Sequence, residues 1–199
     1  MYDSPLWDHI QLAIGAAVTA IVAIIMLMRV RDFLRGRRGG QSSFPPLITA
    51  VMLQDQDAAR EQLAAGKNPN QRDNMGRTGL HHAVLKYDAA MVELLLDHNI
   101  LVNTADVNGH TALHFAAQEY LPAIARLLID RGADVNAVDV HGNSVIWRAV
   151  YDSSGRGAVI ELLLAHNADP HQPNKYGVSA FRLAETVANY DVKQFFERR

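Results

Sequence analysis

The chain has 199 residues, of which 49% are hydrophobic, and it carries no cysteine and a formal net charge of −2. Disulfides are therefore excluded. The first 40 residues hold five arginines against three aspartates, which leaves the other 159 with more acidic than basic residues. Neither charge nor cysteine pattern points to a nucleic-acid ligand.

Residues 10–28 are almost wholly apolar, and Gln11 and Thr19 are their only polar side chains. Nineteen helical residues span about 28 Å, close to the hydrocarbon thickness of a bilayer. A soluble buried helix would need a large core on every side, which the rest of the chain does not offer. We therefore predict a single transmembrane helix after a short extracytoplasmic segment, residues 1–9.

Small residues recur along one face of this predicted helix and would let a second helix approach closely. The alternative is a plain anchor whose alanines are merely compatible with lipid. The residues of the predicted packing face are Ala13, Ala16, Ala17, Ala20 and Ala23.

Charge on the two sides of the helix gives its orientation. Residues 1–9 carry Asp3 and Asp8 but no Lys or Arg, whereas a cleaved signal peptide starts with a basic segment. Positive charge stays in the cytoplasm, so we expect the N-terminus outside and the remaining chain inside, in a bacterial inner membrane. The basic residues that follow the helix, in a linker spanning residues 29–43, are Arg29, Arg31, Arg35, Arg37 and Arg38.

A block of about 33 residues then recurs along the chain. Residues 73–81 are answered by residues 106–114, and residues 139–144 begin a third copy, so both offsets are 33. A period of this length, with helices that have no core of their own, predicts a stack of similar units.

Each copy reads as a turn, a helix, a second helix and an exit loop. Pro122 fits the first turn of a second helix, and Gly132 fits the left-handed residue after it. A glycine follows each turn aspartate by three residues, as a tight turn requires. A hydroxyl residue before each first helix can cap its free N–H groups; these residues are Thr78, Thr111 and Ser144.

The pattern resembles the ankyrin repeat family, on residues 106–109, 111–117, 127–129 and 132–136 and over roughly residues 44–199. Gly79 and Ala112 stand where the family usually has Pro, and Tyr87 and Tyr120 where it has an inter-helix Gly. The resemblance implies an all-α ankyrin-repeat solenoid with hairpin-like turns, preceded here by the transmembrane helix. The predicted units are a capping repeat at 44–72, full repeats at 73–105, 106–138 and 139–173, and a C-terminal cap at 174–199. The third full repeat is two residues longer, with the surplus at 152–157.

Nine histidines invite a metal hypothesis, and His81, His82 and His114 are the obvious candidates. Equivalent positions in a stack lie about 8–10 Å apart, whereas zinc ligands converge at about 2.0–2.1 Å from the ion. The resemblance also implies structural roles for His81 and His114. We therefore expect no metal or cofactor, and, since no catalytic motif is present, no enzymatic activity.

Candidate partner-binding residues are those that the repeat does not explain. Met75, Val107, Val140 and Tyr176 are apolar residues at turn positions that we expect to be exposed and aligned. Ordinary solvated loop is the alternative for each single residue. The predicted turn-tip contacts are Arg72, Met75, Arg77, Val107, His110, Val140, His141 and Tyr176, with Val138 beside them. The predicted contacts on the first helices are Lys86, Gln118, Glu119 and Tyr151.

Stacked repeats of this kind usually bind proteins, so we expect an adaptor or accessory subunit of a membrane protein complex. Two other roles stay open: a scaffold that recruits a soluble enzyme to the membrane, and an immunity or inhibitor protein that blocks a toxin or enzyme. We expect no nucleic acid and no small-molecule substrate. The partner's identity, the oligomeric state and the regulatory input do not follow from the sequence.

Overall fold

The computed structural model describes residues 44–186 and 191–197. The predicted transmembrane helix, its alanine face and the basic segment lie outside the described residues. Within the described ranges, no helix combines the length and the apolarity needed to cross a bilayer.

Short helices make up the described chain, and no regular strand accompanies them there. Their bounds are α1 Pro46–Met52, α2 Gln56–Ala64, α3 Gly79–Leu85, α4 Ala89–Leu96, α5 Ala112–Gln118, α6 Pro122–Asp130, α7 Val145–Tyr151, α8 Ala158–Ala165, α9 Ala180–Thr186 and α10 Gln194–Glu197.

The helices stack in two rows. The first helices of successive units, α1, α3, α5, α7 and α9, each pack against the next, and we call them the inner helices. Helices α4, α6 and α8 form the second row and pack in the same sequential way. The core runs continuously between the rows through fully buried residues such as Leu80, Leu95, Leu113, Leu128 and Ile146. Because each buried leucine contributes about 1.5–3 kcal/mol and is shared between units, no repeat closes a core alone.

The turns between units are built from one recurring carboxylate or amide. Its side-chain oxygen accepts hydrogen bonds from the backbone N–H groups two and four residues ahead, at 2.8–3.0 Å. The glycine three residues ahead has a positive φ in every case, as predicted for Gly76, Gly109 and Gly142. The residues that hold the four turns are Asp73, Asp106, Asp139 and Asn174.

The predicted helix caps are confirmed at Ser144 and differ at the two threonines. Ser144 Oγ accepts from the Trp147 backbone N–H at 3.3 Å. The Thr78 hydroxyl instead contacts Nδ1 of His81 at 2.9 Å, and that nitrogen also accepts from the Thr78 backbone N–H at 3.0 Å. Thr111 and His114 repeat this arrangement. The histidine ring competes for the hydroxyl, which explains the difference.

Exit loops connect each unit to the next through asparagines spaced by 33 residues. Asn103 donates from Nδ2 to the Gly132 carbonyl at 3.0 Å and accepts from the Asp134 backbone N–H at 2.8 Å. Asn70 and Asn136 make the equivalent pairs of bonds with their own following units. This Asn ladder, defined by Asn70, Asn103 and Asn136, holds one edge of the stack.

Positive φ values fall where the repeat predicts them. Tyr87 and Tyr120, at the inter-helix glycine positions, have φ of 57° and 54°, and Gly132 has φ of 86°. Helix α6 begins at Pro122, as predicted. The longer loop of the third repeat lies between α7 and α8, and its Gly157 packs so closely on Phe195 that a Cβ would clash with the ring.

Candidate protein-binding surface

Four apolar side chains are exposed at successive turn tips. Met75, Val107, Val140 and Tyr176 are 45%, 57%, 44% and 73% exposed. The tips are joined by backbone hydrogen bonds, from Val107 N–H to the Met75 carbonyl (3.0 Å) and from Val140 N–H to Asn108 (2.9 Å). The third junction runs from Lys175 N–H to the His141 carbonyl at 3.0 Å. We call Met75, Val107, Val140 and Tyr176 the turn-tip stripe, because rigid backbone pairing aligns them.

His141 belongs to the same edge, since its ring stacks on Tyr176 with centroids 6.3 Å apart. Val138 is also exposed, and its backbone pairs with Ser144 in an isolated bridge. These two residues extend the stripe around the third and fourth tips.

Three of the polar turn-tip candidates hold the scaffold together. Arg72 donates from Nε to the Gly76 carbonyl at 2.8 Å and contacts the Ala105 carbonyl. The Arg77 guanidinium lies 5.0 Å from the centre of the Phe115 ring and 3.5 Å from an Asp106 oxygen. Their main contacts are therefore within the stack.

His110 corrects the prediction of an exposed tip, because it is half-buried between two repeats. Its Nε2 accepts from Nη2 of Arg148 at 3.4 Å and lies 3.6 Å from an Asp139 oxygen. Asp106 is 3.8 Å from its other ring nitrogen, and the Phe115 ring centroid is 5.5 Å away. Burial lowers the pKa of His110 despite the nearby carboxylates, so the ring is neutral at pH 7.

Asp139 is the anionic centre of this buried group. Burial alone would raise the pKa of Asp139, but hydrogen bonds from the Asn143 side chain and backbone, at 2.9 Å each, hold it below its usual value. Arg148 adds a cation at 3.7 Å. A fully partnered carboxylate of this kind supports the turn rather than offering a free ligand.

The predicted inner-helix contacts lie at or next to the C-terminal ends of three inner helices. Lys86 is exposed, and Glu119 accepts from the Tyr87 hydroxyl at 2.7 Å and from Gln118 Nε2 at 3.1 Å. Tyr151 is exposed and stacks on Trp147, with centroids 5.3 Å apart and planes 10° apart.

The sequence analysis missed three residues that the structure brings beside this group: Trp147, Arg148 and Asp152. Arg148 Nη1 lies 3.8 Å from Asp152 Oδ2. Trp147 was read only as a departure from the repeat pattern. The useful signal was its position, because it occupies the site that His81 and His114 fill in the two preceding copies.

Histidines proposed as metal candidates have other partners here. His81 Nε2 donates to the His110 carbonyl at 3.2 Å, and His82 Nε2 lies 2.8 Å from an Asp73 oxygen. Burial lowers the pKa values of His81 and His114 to about 4, so both rings are neutral. In the described part of the chain, no group of three or more His, Cys, Asp or Glu residues could hold a metal ion.

Residues 47–139 match the family model described as ankyrin repeats in three copies. This segment is made of ankyrin repeats. No curated protein shows significant similarity to the chain. Beyond residue 139 the stacking continues, since α7 packs on α5 and α9 packs on α7. Ankyrin repeats are protein–protein interaction modules, and the surfaces above are the ones this example offers.

Proposed function

We propose that this protein is a non-enzymatic, membrane-anchored interaction module that serves as an adaptor or accessory subunit of a membrane protein complex. The turn-tip stripe is the single observation that supports the interaction role best. Its four apolar side chains come from four units, yet backbone hydrogen bonds hold them in one line. Their alignment is a property of the stack, so a partner can bury all four without ordering a loop.

The exposure of these side chains has no role within the stack. Three of the four turns are held by aspartate oxygens and the last by Asn174, so the apolar residues at the tips are not needed for the turn. Aligned apolar groups on a polar surface are typical of contact sites. Tyr176, the most exposed and the only aromatic member, is the strongest candidate for an anchor residue.

The membrane part of the proposal rests on the sequence of residues 10–28 and on the arginines after them. We propose that the N-terminus lies outside and the repeats lie in the cytoplasm of a bacterial cell, at its inner membrane. A short linker would keep the repeats near the membrane surface. Contacts through the helix and through the repeats would then strengthen each other by raising the effective concentration.

Affinity purification of the full chain from detergent-solubilised native membranes tests this function. We expect an integral membrane complex to co-purify, and we expect the variant Met75→Ser, Val107→Ser, Val140→Ser, Tyr176→Ser to lose it. Leu53→Ser with Leu101→Ser is the matched control, because these residues are also exposed and apolar but lie away from the turn tips.

Other outcomes separate the alternatives. Recovery of soluble proteins only would favour a recruiting scaffold or an inhibitor, and an inhibitor would occlude one partner's active site in a one-to-one complex. Retention of the complex by the correctly folded stripe variant would remove the turn tips from the interface. A reporter that works only outside the cytoplasm, fused after Arg199, should stay silent; a clear signal would contradict the orientation.

A further inference from the structure

The residue that follows each inner helix differs from unit to unit, although the helices themselves are equivalent. These helix-ending positions hold Leu53, Lys86, Glu119 and Asp152. Glu119 and Asp152 place two carboxylates at the ends of α5 and α7, which pack directly against each other. The repeat does not require an acid there, since a leucine and a lysine occupy the same position elsewhere.

The Asp152 carboxylate is poorly compensated where it stands. Its nearest cation is Arg148, whose Nη1 is 3.8 Å away, and that guanidinium also serves Asp139 and His110. Burial raises the pKa of Asp152, and the charge of Glu119 raises it further, so the two carboxylates are close enough to repel each other. A cation placed between them would relieve that repulsion.

An aromatic pair lies on the same helix. The Trp147 and Tyr151 rings are parallel and stacked, and Tyr151 remains 61% exposed, so part of its surface is open to a ligand. An aromatic face attracts cations, and a guanidinium can both stack on the ring and hydrogen-bond at its edges. One helix therefore offers a ring surface next to a carboxylate.

Unsatisfied polar atoms are concentrated at this place. Among the described residues, five buried side-chain nitrogen or oxygen atoms lack a hydrogen-bond partner within the protein, and three of them belong to Trp147, Arg148 and Asp152. An unpaired buried polar group costs about 1–3 kcal/mol, so native proteins keep few of them unless water or a ligand completes the site. Their clustering on α7 and the residue after it is a second, independent sign of a missing partner group.

We propose that Glu119, Asp152, Trp147 and Tyr151 bind an arginine side chain of a protein partner. The guanidinium stacks on Tyr151 and donates hydrogen bonds to the two carboxylates, which a planar five-donor group satisfies better than an ammonium does. This rests on the interaction role proposed above and names the chemistry of one contact. Lys86, one unit before Glu119, limits the site to a single cation by repelling a second one.

The charges facing the site come from every element around it. Arg148 supplies the one nearby positive charge, while Glu119, Asp139 and Asp152 supply three negative charges, and His110 is neutral. The Tyr87 hydroxyl, which donates to Glu119 at 2.7 Å, orients that carboxylate without neutralising it. The balance favours a cationic ligand.

The test uses the full chain in detergent micelles and one small probe, N-acetyl-arginine N-methylamide. The chain has two tryptophans, so Trp7→Phe leaves the Trp147 indole as the only indole N–H signal in a ¹⁵N spectrum. At pH 7.5 we expect a saturable shift of that signal with a dissociation constant in the millimolar range, as suits one side chain. The lysine analogue should bind about tenfold more weakly, and the neutral citrulline analogue should give no shift.

Variants assign the site. Glu119→Gln and Asp152→Asn should each weaken probe binding about tenfold, and Tyr151→Leu should weaken it while leaving the spectrum of a folded protein. Glu185→Gln is the matched control, since it removes an exposed carboxylate on α9 that pairs with Lys193 at 3.6 Å. Equal binding of the citrulline analogue, or full binding by the Glu119→Gln, Asp152→Asn double variant, would overturn the assignment.

A last arm identifies the source of the arginine. Replacing Arg29, Arg31, Arg35, Arg37 and Arg38 by Gln should leave the Trp147 signal of the unliganded chain unmoved; a shift would mean that the chain's own arginines fill the site. Because the probe titration needs no natural partner, its failure is distinct from failure to capture a membrane complex.

Discussion

Two regions of the stack repeat with the same 33-residue period but use it differently. Along the exit loops, Asn70, Asn103 and Asn136 are identical residues that make identical pairs of hydrogen bonds. At the ends of the inner helices, the equivalent positions hold Lys86, Glu119 and Asp152, which differ in charge and in partners.

The contrast separates residues that hold the stack from residues that are free to recognise something. Where one residue recurs with one set of bonds, the backbone geometry explains it completely. Where the residue changes while the helix stays the same, the fold places no demand on it. The predictions below test whether stability follows the first group and binding the second.

The largest expected effect is a loss of stability in acid, caused by the recurring histidines. His81 and His114 have pKa values of about 4 in the folded protein, against 6.5 in an unfolded chain. Only the unfolded state therefore gains protons between these values, so stability is complete above pH 6.5 and falls as the pH drops towards 4. Each histidine should account for about 3 kcal/mol of that loss.

Urea denaturation of the Trp7→Phe chain, followed by Trp147 fluorescence at pH 7.5, 5.5 and 4, measures this loss. The double variant His81→Gln, His114→Gln should flatten the profile, because glutamine can accept from the same threonine N–H without titrating. An unchanged acid profile in that variant would show that other groups cause the loss.

Gly109→Ala should be the most damaging single substitution, at about 3–5 kcal/mol. Gly109 has φ of 80°, and a Cβ there would lie 2.8 Å from the Val140 nitrogen and 2.9 Å from Asp139 backbone atoms. The substitution combines left-handed strain with a clash against a neighbouring turn. Gly132→Ala is the matched control, since its φ is 86° but nothing lies within 4 Å, and it should cost only about 1–2 kcal/mol.

Equal losses of unfolding free energy in urea for the two glycine variants would contradict the close approach of successive turns. The contact at Gly109 also explains why the turn-tip stripe is aligned, because the same turns carry Val107 and Val140.

Much of the described fold could be predicted from the sequence, since it depends on local chemistry. Pro122 begins a helix, Gly132 adopts a positive φ and the surplus residues 152–157 form a loop between two helices. Each of these outcomes is decided within a few residues of the chain, where proline, glycine and spacing have fixed meanings.

The surroundings of the candidate site could not be predicted, because they depend on packing between units. His110 follows an exposed turn by only three residues, yet Arg148 and Asp139 from the next unit enclose it. Arg148 and Asp152 looked like ordinary helical surface in the sequence. Their relation to Glu119 arises only when α7 packs on α5.

Asn103→Ala tests the Asn ladder and should cost about 1–2 kcal/mol. The variant loses a hydrogen bond to the Gly132 carbonyl and one from the Asp134 N–H, each worth about 0.5–1.5 kcal/mol. Asn103→Asp keeps the acceptor and loses the donor, so its loss of unfolding free energy in urea should be about half as large. Equal effects of the two variants would show that the accepted bond contributes nothing.

The smallest effect has the opposite sign and sharpens the contrast most. Burial raises the pKa of Asp152, so its charged form destabilises the fold above that pKa, and Asp152→Asn should stabilise the chain at pH 7.5 by up to about 1 kcal/mol. Asp97→Asn, the matched control, removes an exposed ion pair with Arg131 at 2.7 Å and should cost at most about 1 kcal/mol. A destabilised Asp152→Asn protein would place Asp152 among the residues that hold the stack. A stabilised protein that binds the arginine probe more weakly would mean that this carboxylate favours recognition over stability.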